Sequence, residues 1–98
     1  MPMNYLYTEA EAARAEEAIP SMSYRQLIEN LGYFTELGVI APENPATMLV
    51  AARLVDRARI RKSGVSEAEM RGALGQYRAR RDAVEGIVKA LERALALL

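Results

Sequence analysis

Helix-start signals recur along the chain, and they constrain its fold more than any other feature. Thr8 opens Thr8-Glu9-Ala10-Glu11, Ser23 is followed three residues on by Gln26, and Ser66 by Glu69. In each, a hydroxyl can accept an orphan N–H of the first helical turn while the Glu or Gln reaches back to the cap. Asn44-Pro45 is a fourth opener, an Asn cap before a proline whose fixed φ suits the first helical position. Asp82 with Glu85 is a fifth.

Apolar residues follow each opener at helical spacing. Leu27, Leu31, Phe34 and Leu37 form one stripe, widened by Tyr24 and Ile28. Leu49, Val50, Leu54 and Val55 give the third helix an inner face, and that helix is expected to run to about Arg59. Met70, Ala73, Leu74 and Tyr77 mark the fourth; Val84, Ile87, Val88, Leu91 and Leu95 mark the fifth. No proline separates these last two, so they could be continuous. The first helix, ending before Pro20, is rich in Ala and Glu and is expected to be the least securely packed. Gly38 suits the left-handed position that closes a helix. Gly32 is internal, where glycine costs about 1 kcal/mol against alanine, and predicts close approach by a neighbouring backbone. Met48 and Met70 are expected in the core. With no fixed-period repeat and no low-complexity linker, residues 1–98 are expected to form one all-α domain, a bundle of four to five helices.

The chain has no Cys and no His. That excludes a disulfide framework and a thiol nucleophile, and leaves zinc only an all-carboxylate donor set that it does not favour. General acid–base work would fall to Asp, Glu, Lys or Tyr. No Walker loop, Gly-x-Gly-x-x-Gly or Gly-x-Ser-x-Gly occurs. The expectation is a non-enzyme with no catalytic residue, metal or cofactor. Glu9, Glu11, Glu16 and Glu17 lack the Asp/Asn/Gly pattern of an EF-hand and read as solvated helix surface. They also interrupt any signal-like apolar run. No window of about 18 apolar residues exists, so no membrane partner is expected. The cysteine-free composition is compatible with the cytosol, and a cytoplasmic location is expected.

Net charge is zero but unevenly spread. Residues 1–50 hold two basic and seven acidic side chains; residues 51–98 hold eleven basic and six acidic. Such asymmetry can mean a polyanion-binding face, or two halves that attract each other within a chain or between copies. The candidate binding residues are Arg53, Arg57, Arg59, Arg61 and Lys62, with Arg78, Arg80 and Arg81 later. Arg53 and Arg57 are four apart and are expected to share a helix face. Arginines there could hold phosphates bidentately, or could be solvated charges paired with Asp56, Glu67 or Asp82. Tyr77 is the one nearby aromatic for base stacking.

Two candidate partner surfaces are apolar. Tyr5 and Tyr7 precede the first helix at alternate positions and could form an arm across a neighbour, while Tyr24 and Phe34 are expected in the core. Leu91, Leu95, Leu97 and Leu98 exceed what a narrow stripe needs. They either fold back onto the second helix or make Leu95 and Leu98 part of a self-association surface; a homo-oligomer is expected.

The run Leu27-Ile28-Glu29-Asn30-Leu31-Gly32-Tyr33-Phe34-Thr35 resembles a segment of TROVE domains, found in the Ro ribonucleoprotein autoantigen family. The resemblance continues in order through Val39 and Pro42-Glu43-Asn44, Leu54, the basic pair Arg61-Lys62, and Ala73-Leu74-Gly75-Gln76-Tyr77. It ends in Ile87-Val88-Lys89-Ala90-Leu91-Glu92-Arg93-Ala94 and covers residues 22–95, with residues 1–21 as an N-terminal arm and helix. It departs from the family at Ser66-Glu67, where members carry His-Pro, and only the closing segment of the family's ring of helices is represented. The resemblance implies helical-repeat, HEAT-like packing and binding of single-stranded or structured non-coding RNA. The reading is therefore a non-catalytic RNA-binding or ribonucleoprotein-associated module. Its alternative is a structural or protein-interaction subunit that self-assembles through its acidic first half and basic second half.

Overall fold

A computed structural model describes residues 9–98, and every regular element among them is helical. The helices are α1 (Glu9–Ala18), α2 (Tyr24–Glu29), α3 (Leu31–Glu36), α4 (Ala46–Leu54), α5 (Arg57–Ser63), α6 (Glu67–Arg78) and α7 (Glu85–Ala96), with a 3₁₀ turn at Ile19–Ser21. The expected cap at Thr8 lies outside the described residues, as do Tyr5 and Tyr7.

The Ser openers act as the sequence predicts. Ser23 and Ser66 each accept a backbone N–H three residues on, from Gln26 and Glu69, whose side chains accept from the cap N–H in return. Asn44 Oδ1 accepts from Ala46 N at 2.9 Å, at the entry to α4. Gly38 and Gly64 close α3 and α5 with φ of +79° and +69°.

Seven helices replace the expected four or five because two of those expected are broken. The second breaks at Asn30 (φ −106°, ψ 6°), whose side-chain amide donates to Gln26 O at 2.7 Å. An Asn that bonds its own preceding turn competes with the helix. The third breaks at Val55, and extended Asp56 (φ −78°, ψ 106°) restarts the chain as the cap of α5, accepting from Arg59 N. A loop separates α6 from α7. The expected Asp82–Glu85 cap does not form: Val84 holds that position without a side-chain bond, while Asp82 accepts from Arg80 Nε at 2.9 Å.

The core is one cluster in which α7 packs mainly against α4 and α6, through Ile87, Ala90, Leu91 and Ala94. The C-terminal leucines therefore do not fold chiefly onto the second helix. Leu91 is fully buried, Leu95 and Leu97 are half-buried against the core, and Leu98 is 47% exposed. Leu95 thus belongs more to the core than to a partner surface. Tyr24, Phe34 and Met70 are buried as expected, but Met48 is 78% exposed and Leu49 40% exposed, on the outer side of α4. Val50 and Leu54 face inward as expected, joined there by Ala46 and Thr47. α1 buries no residue fully and touches the core through Ala12 and Ala15.

Two side chains join distant elements. Thr35 Oγ1 donates to Leu31 O at 2.7 Å, so the 3.0 Å contact between Thr35 Oγ1 and the Tyr77 hydroxyl must be donated by Tyr77. The same Tyr77 oxygen accepts from Val84 N at 3.0 Å. α3, α6 and the start of α7 thus meet at one buried hydroxyl. Arg80 packs over Gly32: a Cβ there would lie 2.8 Å from the Arg80 guanidinium. The close approach is made by a side chain, not by the expected backbone.

Tyr77→Phe leaves the Val84 N–H and the Thr35 hydroxyl short of a partner and is expected to cost about 1–3 kcal/mol in urea unfolding; a wild-type midpoint would show that the bridge carries no stability. Gly32→Ala displaces only the end of a flexible side chain and gains helix propensity. Its stability is expected within about 1 kcal/mol of wild type, while an NMR signal from the Arg80 guanidinium shifts.

Candidate functional site

α5 is short and basic, and its two ends set which way it faces. Asp56 caps it, Gly64 turns the chain away, and Ile60 is its buried anchor. Arg57, Arg59, Arg61 and Lys62 are left on its exposed side. Cations near a helix C-terminus are also favoured by the helix dipole, which suits Arg61 and Lys62.

Half of the arginines outside α5 are compensated. Arg71 pairs with Glu67 at 2.8 Å, Arg78 with Glu92 at 3.4 Å, and Arg80 with both Asp82 at 2.9 Å and Glu36 at 3.2 Å. Arg25 pairs with Glu69, and Lys89 lies 3.5 Å from Glu85. On α5, Arg59 Nε sits 3.4 Å from Asp56. Among the described residues, Arg57, Arg61 and Lys62 have no carboxylate within ion-pair distance, and neither do Arg14, Arg53, Arg81 and Arg93 elsewhere.

Two open grooves flank α5. Arg57, Ala58, Arg61 and Lys62 line one. The other, about 550 Å³, runs between α5 and the segment from Pro20 to Gln26, and is lined by Arg25, Arg59, Lys62 and three serines. Lys62 borders both. A third groove, about 470 Å³, lies between α6 and the α2–α3 pair, but its cations Arg25 and Arg80 share it with Glu29 and Glu69.

The structure brings together Arg57, Arg59, Arg61 and Lys62, but not the other candidates. Arg53 belongs to α4 and Arg57 to α5, so the break at Val55 and Asp56 denies them the expected common face. Arg53 Nε and Nη1 are buried without a hydrogen-bond partner. Arg78 is tied to Glu92 at the end of α6, Arg81 lies in the α6–α7 loop, and neither lines an α5 groove. Tyr77 is only 3% exposed, its hydroxyl committed twice, and it cannot stack on a base. Arg25, Ser21, Ser23 and Ser63 were not legible as site residues: Arg25 and Ser63 are far apart in the chain, and no local pattern announces that they share a groove. No cluster of three or more potential metal ligands occurs among the described residues, and none of their helices is long and apolar enough to cross a membrane.

Hydrogen bonds to charged partners shift Glu69 and Tyr33 in opposite directions. The Glu69 carboxyl is held down to about 2 by its hydrogen bond from Arg25, then by the backbone N–H of Ser66. Tyr33 is raised because its hydroxyl donates to the Glu11 carboxylate at 2.9 Å.

Comparison with protein-family models, with curated proteins and with solved structures returns no match to this chain.

Because the Glu69 pKa is depressed on folding, the stability its pair contributes is present above the ordinary value of 4.5 and is lost as pH falls through about 2. Glu69→Gln keeps an acceptor for the Ser66 N–H but removes the charge. Its urea midpoint is expected to fall less than wild type over that acid range; parallel acid profiles would show that the pair contributes nothing.

Proposed function

We propose that this chain is a non-catalytic RNA-binding or ribonucleoprotein-associated helical module whose contact surface is α5. The observation that carries this reading is the clustering of three cations without an ion-pair partner among the described residues, Arg57, Arg61 and Lys62, along one groove of a single short helix. Arg57 and Arg61 are one turn apart on one face, where each guanidinium can fork onto a phosphate. No aromatic side chain lines that face, so the contacts fall on the sugar–phosphate backbone and position RNA without reading bases. The resemblance to the closing segment of TROVE domains favours RNA over other polyanions. Helical-repeat packing and a cytoplasmic location belong to the same reading.

A second reading, self-assembly, is favoured by α1. Its Glu9, Glu16 and Glu17 are exposed and acidic, and could meet α5 of another copy. Such a head-to-tail contact makes rings or filaments. Exposed Met48, Leu49 and Leu98 supply apolar area for it.

The test is binding of a fluorescent single-stranded RNA across a salt series. Three phosphate contacts predict a log–log salt slope of about −2. Arg57→Glu/Arg61→Glu is expected to abolish binding with the helical circular dichroism unchanged. No binding even at low salt overturns the reading, and concentration-dependent sedimentation that the same double variant abolishes would favour self-assembly.

A further inference from the structure

The groove between α5 and residues 20–26 differs from the outer face of α5 in how its donors converge. Arg25 comes from α2, Arg59 and Lys62 from α5, and no carboxylate is among the lining residues. None of the three cations is exhausted by its partner. Arg25 meets Glu69 through Nη1, leaving Nε and Nη2. Arg59 turns Nε towards Asp56, leaving both Nη groups. Lys62 has no ion-pair partner among the described residues.

The serines divide in the same way. Ser63 is committed, donating to Ile60 O at 2.6 Å and accepting from Val65 N. Ser23 accepts from Gln26 N, which leaves its own proton to donate. Ser21 donates to Ala18 O at only 3.3 Å, and so can turn outward at little cost. Two guanidinium groups, one ammonium and two hydroxyls therefore border a single concavity.

We infer that this groove binds a phosphate monoester. A diester has one negative charge and two free oxygens. A monoester carries about −1.5 to −2 charges at neutral pH and three free oxygens. Two guanidinium groups and an ammonium, brought together from α2 and α5, match the second group better than the first. The charge-assisted bonds they make are the strong kind. The outer face of α5, with its cations in a row, suits a continuous backbone instead. On the RNA reading, on which this inference rests, the chain would hold a 5′-phosphorylated end in the groove and the following backbone along α5. Lys62, bordering both grooves, would sit at the junction.

The same chemistry is offered by small phosphorylated molecules, and the experiment separates the two sources. Two RNAs of one sequence, one 5′-phosphorylated and one 5′-hydroxyl, are titrated against the whole chain. In parallel, inorganic phosphate is titrated while amide NMR signals are followed. The 5′-phosphorylated RNA is expected to bind roughly tenfold tighter. Inorganic phosphate is expected to shift the Ser21, Ser23 and Ser63 amides saturably. Arg59→Gln, which leaves the Asp56 backbone cap intact, is expected to erase the preference; Arg57→Gln, on the other groove, weakens both RNAs and keeps their ratio. Equal affinity for the two RNAs with no saturable shift overturns the inference and leaves RNA binding standing. Saturable shifts with no affinity for either RNA support the groove as a site for a small phosphorylated ligand and overturn the RNA reading. Shifts confined to Arg57 and Arg61 also overturn the inference, because phosphate then prefers the outer face.

Discussion

The position of α5, and with it the candidate site, depends on one buried hydrogen bond. The Tyr24 hydroxyl donates to Leu54 O at 2.7 Å, from the first residue of α2 to the last of α4. Leu54 is where α4 runs out of intrahelical donors for its carbonyls. Burial pushes the Tyr24 phenol well above its ordinary value, which favours the protonated, donating form. With that carbonyl held, the chain can leave the helix at Val55 and restart at Asp56. α2 packs against both α4 and α5, so the groove beside α5 has α2 as its other wall.

The uneven charge along the chain does less to join its halves than the totals imply. Among the described residues two ion pairs cross between them, Arg25 with Glu69 and Arg80 with Glu36. The first runs against the expected sense, since its cation comes from the acidic half. The other ion pairs lie within the second half, four of them between residues two to four apart. Exposed pairs of this kind contribute little each. Their larger consequence is local: Arg59, Arg71, Arg78, Arg80 and Lys89 are neutralised, while Arg57, Arg61 and Lys62 of α5 are not.

Much of the fold was legible in the sequence, because cap chemistry and apolar spacing are local. Ser23, Ser66, Gly38 and Gly64 end or begin helices where their side chains, or the lack of one, allow. The stripe from Leu27 to Phe34 is buried as its spacing predicts. The misreadings share a cause: one residue served two roles. Asp56 read as an ion-pair partner for arginines and is also a helix cap, which splits the third helix and separates Arg53 from Arg57. Asp82 read both as a cap and as an arginine partner, and it takes only the second role. Gly32 was correctly a place of close approach, but the approaching group lies 48 residues on, at Arg80. The groove beside α5 was illegible for the same reason, since residues 20–26 and 59–63 meet only through packing.

Asp56 also gives the basic helix its two sides. Its Oδ1 holds the Arg59 backbone N–H while Oδ2 lies near the Arg59 Nε. The carboxylate therefore orders the one arginine of α5 that lines the groove shared with residues 20–26, and does so without using its Nη groups. Arg57 and Arg61 border only the other groove and keep their rotamer freedom. An ordered guanidinium loses less entropy on forming a directed bond, and a free one adapts to a backbone of variable path. One acidic residue, by capping the helix and restraining a single arginine, makes two cationic surfaces of different character from a run of six residues, Arg57 to Lys62.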